Sequence, residues 1–237
     1  MGRLKMPWIM KQTWSSLLFA HYRVDSEHLQ SLLPSCLEVD LFDASAWVSV
    51  VPFEMNNVQI RGTGGIFAQS FLELNVRTYV KFGKKPGVYF FSLDANHPLA
   101  VTFANVTYGL PYLHADMSIE KSHTILFNSI RTDKRERVGR FEADYTPVGE
   151  PFKSKRGFLP YWLTERYSLF VVKGKSIFEG KVDHPPWRLQ QAEVTFYHHT
   201  VAESIGVRLP ESPEHVHYSD TLDVRIFPLN RVGTYHH

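Results

Sequence analysis

The sequence has a single cysteine, Cys36, so it forms neither an internal disulfide nor a cysteine-based zinc site. It also has no long apolar run. Lys11 interrupts the chain after Trp8-Ile9-Met10, and Leu17-Leu18-Phe19-Ala20 ends at His21-Tyr22-Arg23. A bilayer span needs about 18 apolar residues, and a signal sequence ~7–15 with a small-residue cleavage site. A cytosolic (cytoplasmic) protein is expected. Neither sign of charge dominates: 26 Lys and Arg against 24 Asp and Glu leave +2, with the signs interspersed. That excludes nucleic acid and a membrane surface as expected partners. Gly62-Thr63-Gly64-Gly65 lacks the lysine and the strand-then-helix setting of a phosphate loop, and no Gly-x-Ser-x-Gly elbow occurs.

What is present is a globular composition, 43% hydrophobic and 14% aromatic over 237 residues. Two polar stretches, Arg131 to Arg137 and Pro147 to Gly157, could each separate halves, but neither is long enough to require it. The first reads as a solvated hairpin, and a single domain over 1–237 is expected. Asp25 is placed to cap a helix through Leu29, Leu32 and Leu33 that Pro34 stops. Asn96, just before Pro98, is placed to start a second from Leu99 to Tyr108, closed by Gly109. Ala46 to Phe53, Phe71 to Phe82, Gly87 to Leu93, Leu169 to Val172 and Ala192 to Tyr197 read as strands, with a hairpin loop over Phe82 to Gly87. The fold class is mainly β (α+β), a barrel or sandwich with a few short helices.

The most informative segment is Phe71 to Val80. Glu73, Asn75, Arg77 and Tyr79 fall on one strand face, and Leu74, Val76, Thr78 and Val80 on the other. This face lies in water if the strand is half-buried, or lines the interior of a barrel that encloses a wet cavity. In the second case Glu73 and Arg77, roughly 13 Å apart along a strand, address two ends of a ligand rather than each other. An arginine grips a carboxylate through two nitrogens, and a glutamate can move a proton.

Other candidates carry less. Tyr112, His114 and Asp116 share a face if extended, but two ligands make no metal site, and a structural histidine is the simpler reading. Glu165 and Arg166, beside Tyr167 and Ser168 at the mouth of an apolar strand, suit a structural ion-pair network or a site equally. His184-Pro185-Pro186-Trp187 reads as a rigid corner with Trp187 packed inward. His198-His199 and His215-Val216-His217 lack a third ligand, and Cys36 reads as a small buried residue. Neither metal nor cofactor is expected.

Read together, several segments resemble the YqjF-like family of uncharacterised bacterial proteins. They run from Leu18-Phe19-Ala20-His21-Tyr22-Arg23-Val24-Asp25 through Leu32-Leu33-Pro34, Trp47-Val48, Val51-Pro52-Phe53, Glu73 to Val80 and Phe90-Phe91-Ser92-Leu93-Asp94-Ala95. Leu110-Pro111-Tyr112, Leu163 to Tyr167 and His184 to Trp187 extend the match over nearly the whole chain. That family is in turn similar to the acetoacetate decarboxylases, which implies a β-barrel or cone with an interior cavity. Those enzymes form a Schiff base through a lysine of depressed pKa. The corresponding stretch here is Pro111-Tyr112-Leu113-His114, without a lysine, and Lys84-Lys85 falls in the hairpin. The decarboxylase's helper glutamate corresponds to Glu73. Its substrate-binding arginine falls near Ser15, so that role is vacant or moved to Arg77 or Arg166.

The resemblance implies an enzyme acting on a small carboxylate or carbonyl compound without a Schiff base. Glu73, Tyr112 and His114 would do the acid–base work, and Arg77, Asn75, Glu165 and Arg166 would hold the ligand. A non-catalytic binding or sensing protein could use the same cavity. A filled barrel, with Glu73, Arg77, Glu165 and Arg166 in one salt-bridge network, is the third option. The expected partner is an anionic or carbonyl-containing small molecule, with homo-oligomerisation left open.

Overall fold

A computed structural model describes residues 7–235 and, within them, all side chains except those of 66–69. The basic Arg3 and Lys5 at the chain start lie outside the described residues. In order, the elements are β1 (Met10–Val24), α1 (Ser26–Ser31), β2 (Glu38–Val39), β3 (Ala46–Ile60), β4 (Ile66–Phe82), β5 (Lys85–Ala95) and α2 (Pro98–Tyr108). They continue as β6 (Tyr112–Lys121), β7 (Ile125–Arg131), β8 (Arg140–Phe152), α3 (Leu159–Thr164), β9 (Ser168–Lys173), β10 (Ser176–Asp183), β11 (Leu189–His199), β12 (His215–Ile226) and β13 (Asn230–Thr234). Among the described residues, all thirteen strands join one sheet. Its pairings run β5, β6, β7, β8, β11, β12, β1, β3, β4 and back to β5. β9 and β10 bridge β5 to β12, while β2 and β13 lie at edges.

β1, β3 and β4 are buried on both faces. On one, Leu18, Val50, Leu74 and Val76 pack with Phe127 and Phe141 from β7 and β8. On the other, Leu17, Phe19, Val51 and Phe53 pack with Trp187 and Leu189. The polar face of β4 is therefore not in water: Glu73 is 3% exposed, Asn75 5% and Arg77 9%. Stacking of a second layer, which a single strand's alternation does not reveal, is the physical reason.

Two bulges keep the inner face apolar along its length. Ser16 and Asn57 have left-handed φ values of 53° each, and each adds one residue to its strand. A one-residue slip exchanges the faces of a strand. Met10, Gln12 and Trp14 before Ser16 therefore line the same pocket as Leu17 and Phe19 after it, and Met55 and Val58 flank Asn57 in the same way.

Asp25 caps α1 by accepting from the His28 amide at 2.7 Å. The second cap is His97 rather than Asn96. Its Nδ1 accepts from the Ala100 amide at 3.1 Å, because the Asn96 side chain is already engaged by the Leu72 amide at 2.8 Å. Gly109 ends α2 in the left-handed region, as expected. The β4–β5 hairpin is tighter than Phe82 to Gly87. Phe82 pairs with Lys85, and Gly83 at φ 59° begins a two-residue turn. Extended geometry does not hold across Glu165, which closes α3. Arg131 corrects the solvated-hairpin reading, since its side chain is fully buried against Asp94.

Candidate functional site

Alternation along β4 brings Glu73, Asn75 and Arg77 to one pocket of about 130 Å³, whose remaining walls are mostly apolar and aromatic. Tyr112 joins them from the start of β6. Its hydroxyl donates to Glu73 Oε2 at 2.8 Å. The Asn105 side chain fixes that end of β6, donating to the Tyr112 carbonyl at 3.0 Å and accepting from its amide at 3.1 Å.

Burial pushes the Glu73 carboxyl up to about 7, helped by Asp94 and opposed by hydrogen bonds from Tyr112 and Asn75. Burial and the Glu73 charge raise the Tyr112 phenol well above its usual value, so Tyr112 stays protonated. A carboxyl that titrates near neutrality beside a fixed donor is equipped to take and return a proton. Tyr108, on α2, also lines the pocket, and its hydroxyl is buried without a partner.

Arg77 supplies the opposite chemistry. Its guanidinium lies over the Phe19 ring at 5.6 Å, and its Nε and Nη2 are buried with no acceptor. Those two nitrogens form the edge of the fork that holds a carboxylate bidentately. The neighbouring histidines do not balance its charge. His21 and His184 are both lowered chiefly by burial, with Arg77 adding to the effect. An unpaired buried cation is costly. Asn75 Oδ1 is likewise buried without a donor.

Behind Arg77 runs a row that strand registers create and sequence reading missed. Ser49 of β3 stands opposite Arg77, and His21 of β1 opposite Ser49. His21 Nδ1 lies 2.7 Å from Ser49 Oγ, which lies 2.6 Å from the Tyr79 hydroxyl. Tyr79, the fourth residue of the polar face, is thus engaged away from the pocket.

His114, Glu165 and Arg166 are not among the pocket-lining residues. His114 acts through its backbone, whose amide donates to Asp133 Oδ2 at 3.1 Å. Glu165 accepts from the Trp187 amide at 3.0 Å and from the Tyr167 hydroxyl. Arg166 pairs with Asp40 at 2.7 Å and lies over Trp162 at 4.2 Å. The filled-barrel network is also overturned: Glu73 bonds Tyr112, Arg166 pairs with Asp40, and the Nε and Nη2 of Arg77 bond nothing. Ser15 bonds Glu54 at 3.2 Å, and among the described residues Arg77 is the arginine that lines this pocket.

Lys181 borders the pocket between Gly180 and Val182. The unbroken β9–β10 register places its side chain on the opposite face, with Ser168 and Glu179. Lys85 sits at the exposed hairpin and pairs with Glu179. Among the described residues no three His, Cys, Asp or Glu side chains cluster to hold a metal, and no helix is long and apolar enough to cross a membrane.

The model of the family DUF2071, described as an uncharacterized conserved protein, matches residues 11–223. The chain is 42% identical over 225 residues to the uncharacterized protein YqjF of Bacillus subtilis (strain 168), covering 94% of this chain and 93% of that one. Among solved structures it is similar to the enduracididine biosynthesis enzyme MppR complexed with pyruvate, with a TM-score of 0.66 at 13% identity over 99% of this chain and 94% of that one. It is equally similar to acetoacetate decarboxylase from Legionella pneumophila, with a TM-score of 0.66 at 13% identity over 98% and 90%. At such identity the likeness shows the fold alone, a mainly β structure of the acetoacetate decarboxylase-like type.

Proposed function

The chain belongs to the DUF2071 family, and from its pocket we propose that it binds a small 2-oxo carboxylate and moves a proton on the carbon beside the carbonyl. The observation that carries this reading is the pairing, in one pocket, of a carboxyl raised to about 7 and a buried guanidinium edge without an acceptor. The pyruvate held by the structural neighbour MppR supports the substrate class.

Arg77 would hold the ligand carboxylate through its guanidinium, and the carbon chain would lie along β4 toward Glu73. Ionised Glu73 takes a proton from the carbon next to the carbonyl. The electron pair of that C–H bond forms a C=C bond to the carbonyl carbon while the C=O π pair moves onto oxygen, leaving an enolate oxygen to which the unpartnered Tyr108 hydroxyl can donate. The proton then returns from Glu73 to carbon. Tyr112 keeps its own proton and fixes the carboxylate through its 2.8 Å bond. No step needs a lysine amine, in keeping with the outward direction of Lys181.

Arg77→Met tests the binding half. A hydrogen-bonded charge pair contributes about 1.5–3 kcal/mol, so pyruvate affinity by calorimetry should fall at least about tenfold. Unchanged affinity would remove Arg77 from the site.

A further inference from the structure

Resting on the carboxylate reading above, we propose that the ligand carries a planar ring, so that the substrate class is a ring-bearing 2-oxo acid and Trp187 and Trp14 select for the ring. A bare oxo acid needs an arginine and a proton acceptor, but it has little use for walls built of rings. Here Trp14 lies 6.2 Å from Trp187, nearly parallel at 23°, and 5.5 Å from Phe53. Phe19 meets Trp187 edge-on at 5.0 Å and 84°. All four border the pocket, and Phe90 adds another ring. Faces and edges set 5–6 Å apart are the arrangement in which aromatic rings attract beyond their buried area.

This inference also accounts for two motifs that proton transfer leaves idle. Trp187 is tied by both its N–H groups: Nε1 donates to the Thr164 carbonyl at 2.9 Å, and its amide to Glu165 Oε1 at 3.0 Å. With the indole N–H satisfied, only the ring is left to offer the pocket. His184, stacked on Tyr167 at 4.6 Å, packs against Trp187 at 5.1 Å, and Pro185-Pro186 restrict the approach. Glu165 is thus a positioning residue, holding a pocket wall rather than a ligand.

The test is calorimetric titration of the intact protein with pyruvate, 2-oxo-4-methylpentanoate and phenylpyruvate, repeated on Trp14→Leu and Glu165→Gln. Phenylpyruvate should bind at least about tenfold tighter than pyruvate and tighter than the branched aliphatic acid. Its advantage over pyruvate should shrink severalfold in both variants. Trp14 is half-buried, so its replacement leaves a folded protein to measure even if Glu165→Gln does not. Pyruvate binding as tightly as phenylpyruvate, or an advantage unchanged in Trp14→Leu, would overturn the ring preference while leaving the carboxylate reading intact. Failure of all three acids to bind would overturn both.

Discussion

Glu73→Gln is expected to stabilise the protein by about 3 kcal/mol at pH 8 and to change nothing measurable near pH 4. Burial raises this carboxyl from 4.5 to about 7, so the folded state prefers its protonated form. That preference is fully present below about pH 4.5, where both states are protonated, and is lost as the pH climbs through about 7. Above it, the wild type carries a buried charge that the isosteric amide does not. Gln can still accept the Tyr112 hydroxyl, so the neighbouring bond survives. For a chain of this length the gain corresponds to a rise in melting temperature of roughly 6–12 °C. Thermal unfolding at the two pH values checks it, and equal effects at both would mean that Glu73 is not the strained group. The same substitution removes the proposed base. Stability and activity then move in opposite directions, as expected where a site holds strain for use.

Arg131→Met should destabilise by about 3–5 kcal/mol, because it leaves Asp94 buried without its cation. Both side chains are fully buried. Arg131 Nε donates to Asp94 Oδ1 at 3.0 Å, Nη1 to Ser204 Oγ at 2.6 Å and Nη2 to Ser92 Oγ at 3.1 Å. This pair ties β5 to β7 directly behind the pocket, where the Asp94 charge contributes to the raised Glu73 carboxyl. The double variant Asp94→Leu, Arg131→Met should regain most of the loss, since the penalty belongs to the orphaned charge and not to the absent bond. Urea midpoints of the three variants measure it. A single replacement costing under about 1 kcal/mol would show that water reaches Asp94.

The strand carrying the site was legible because β4 alternates polar and apolar residues, and the period survives even when both faces are buried. Glu73, Asn75 and Arg77 could therefore be placed together, and Tyr112 could be suspected. The partners that decide their chemistry were not legible. The His21–Ser49–Arg77 row exists only once three strands are in register. Tyr108 reaches the pocket from a helix whose sequence shows no functional pattern. The bulges at Ser16 and Asn57 place left-handed backbone on ordinary residues, where no glycine announces it. Arg131 sat in a charged run that reads as solvated, and only its distant partner Asp94 draws it inward. Glu165 and Arg166 stand out in the sequence as unusual adjacent charges. Their opposite roles, one holding Trp187 and the other pairing with Asp40, follow from α3 ending between them and the strands.

The most direct test of the proton-transfer reading is deuterium uptake. Pyruvate and phenylpyruvate would be incubated with the protein in heavy water, and loss of the protons beside the carbonyl followed by proton NMR. Catalysed exchange should rise with pH through about 7, as Glu73 ionises, and fall at least about a hundredfold in Glu73→Gln. Acids that bind in an Arg77-dependent manner but keep their protons at the uncatalysed rate would contradict it, and would leave a binding protein in place of an enzyme.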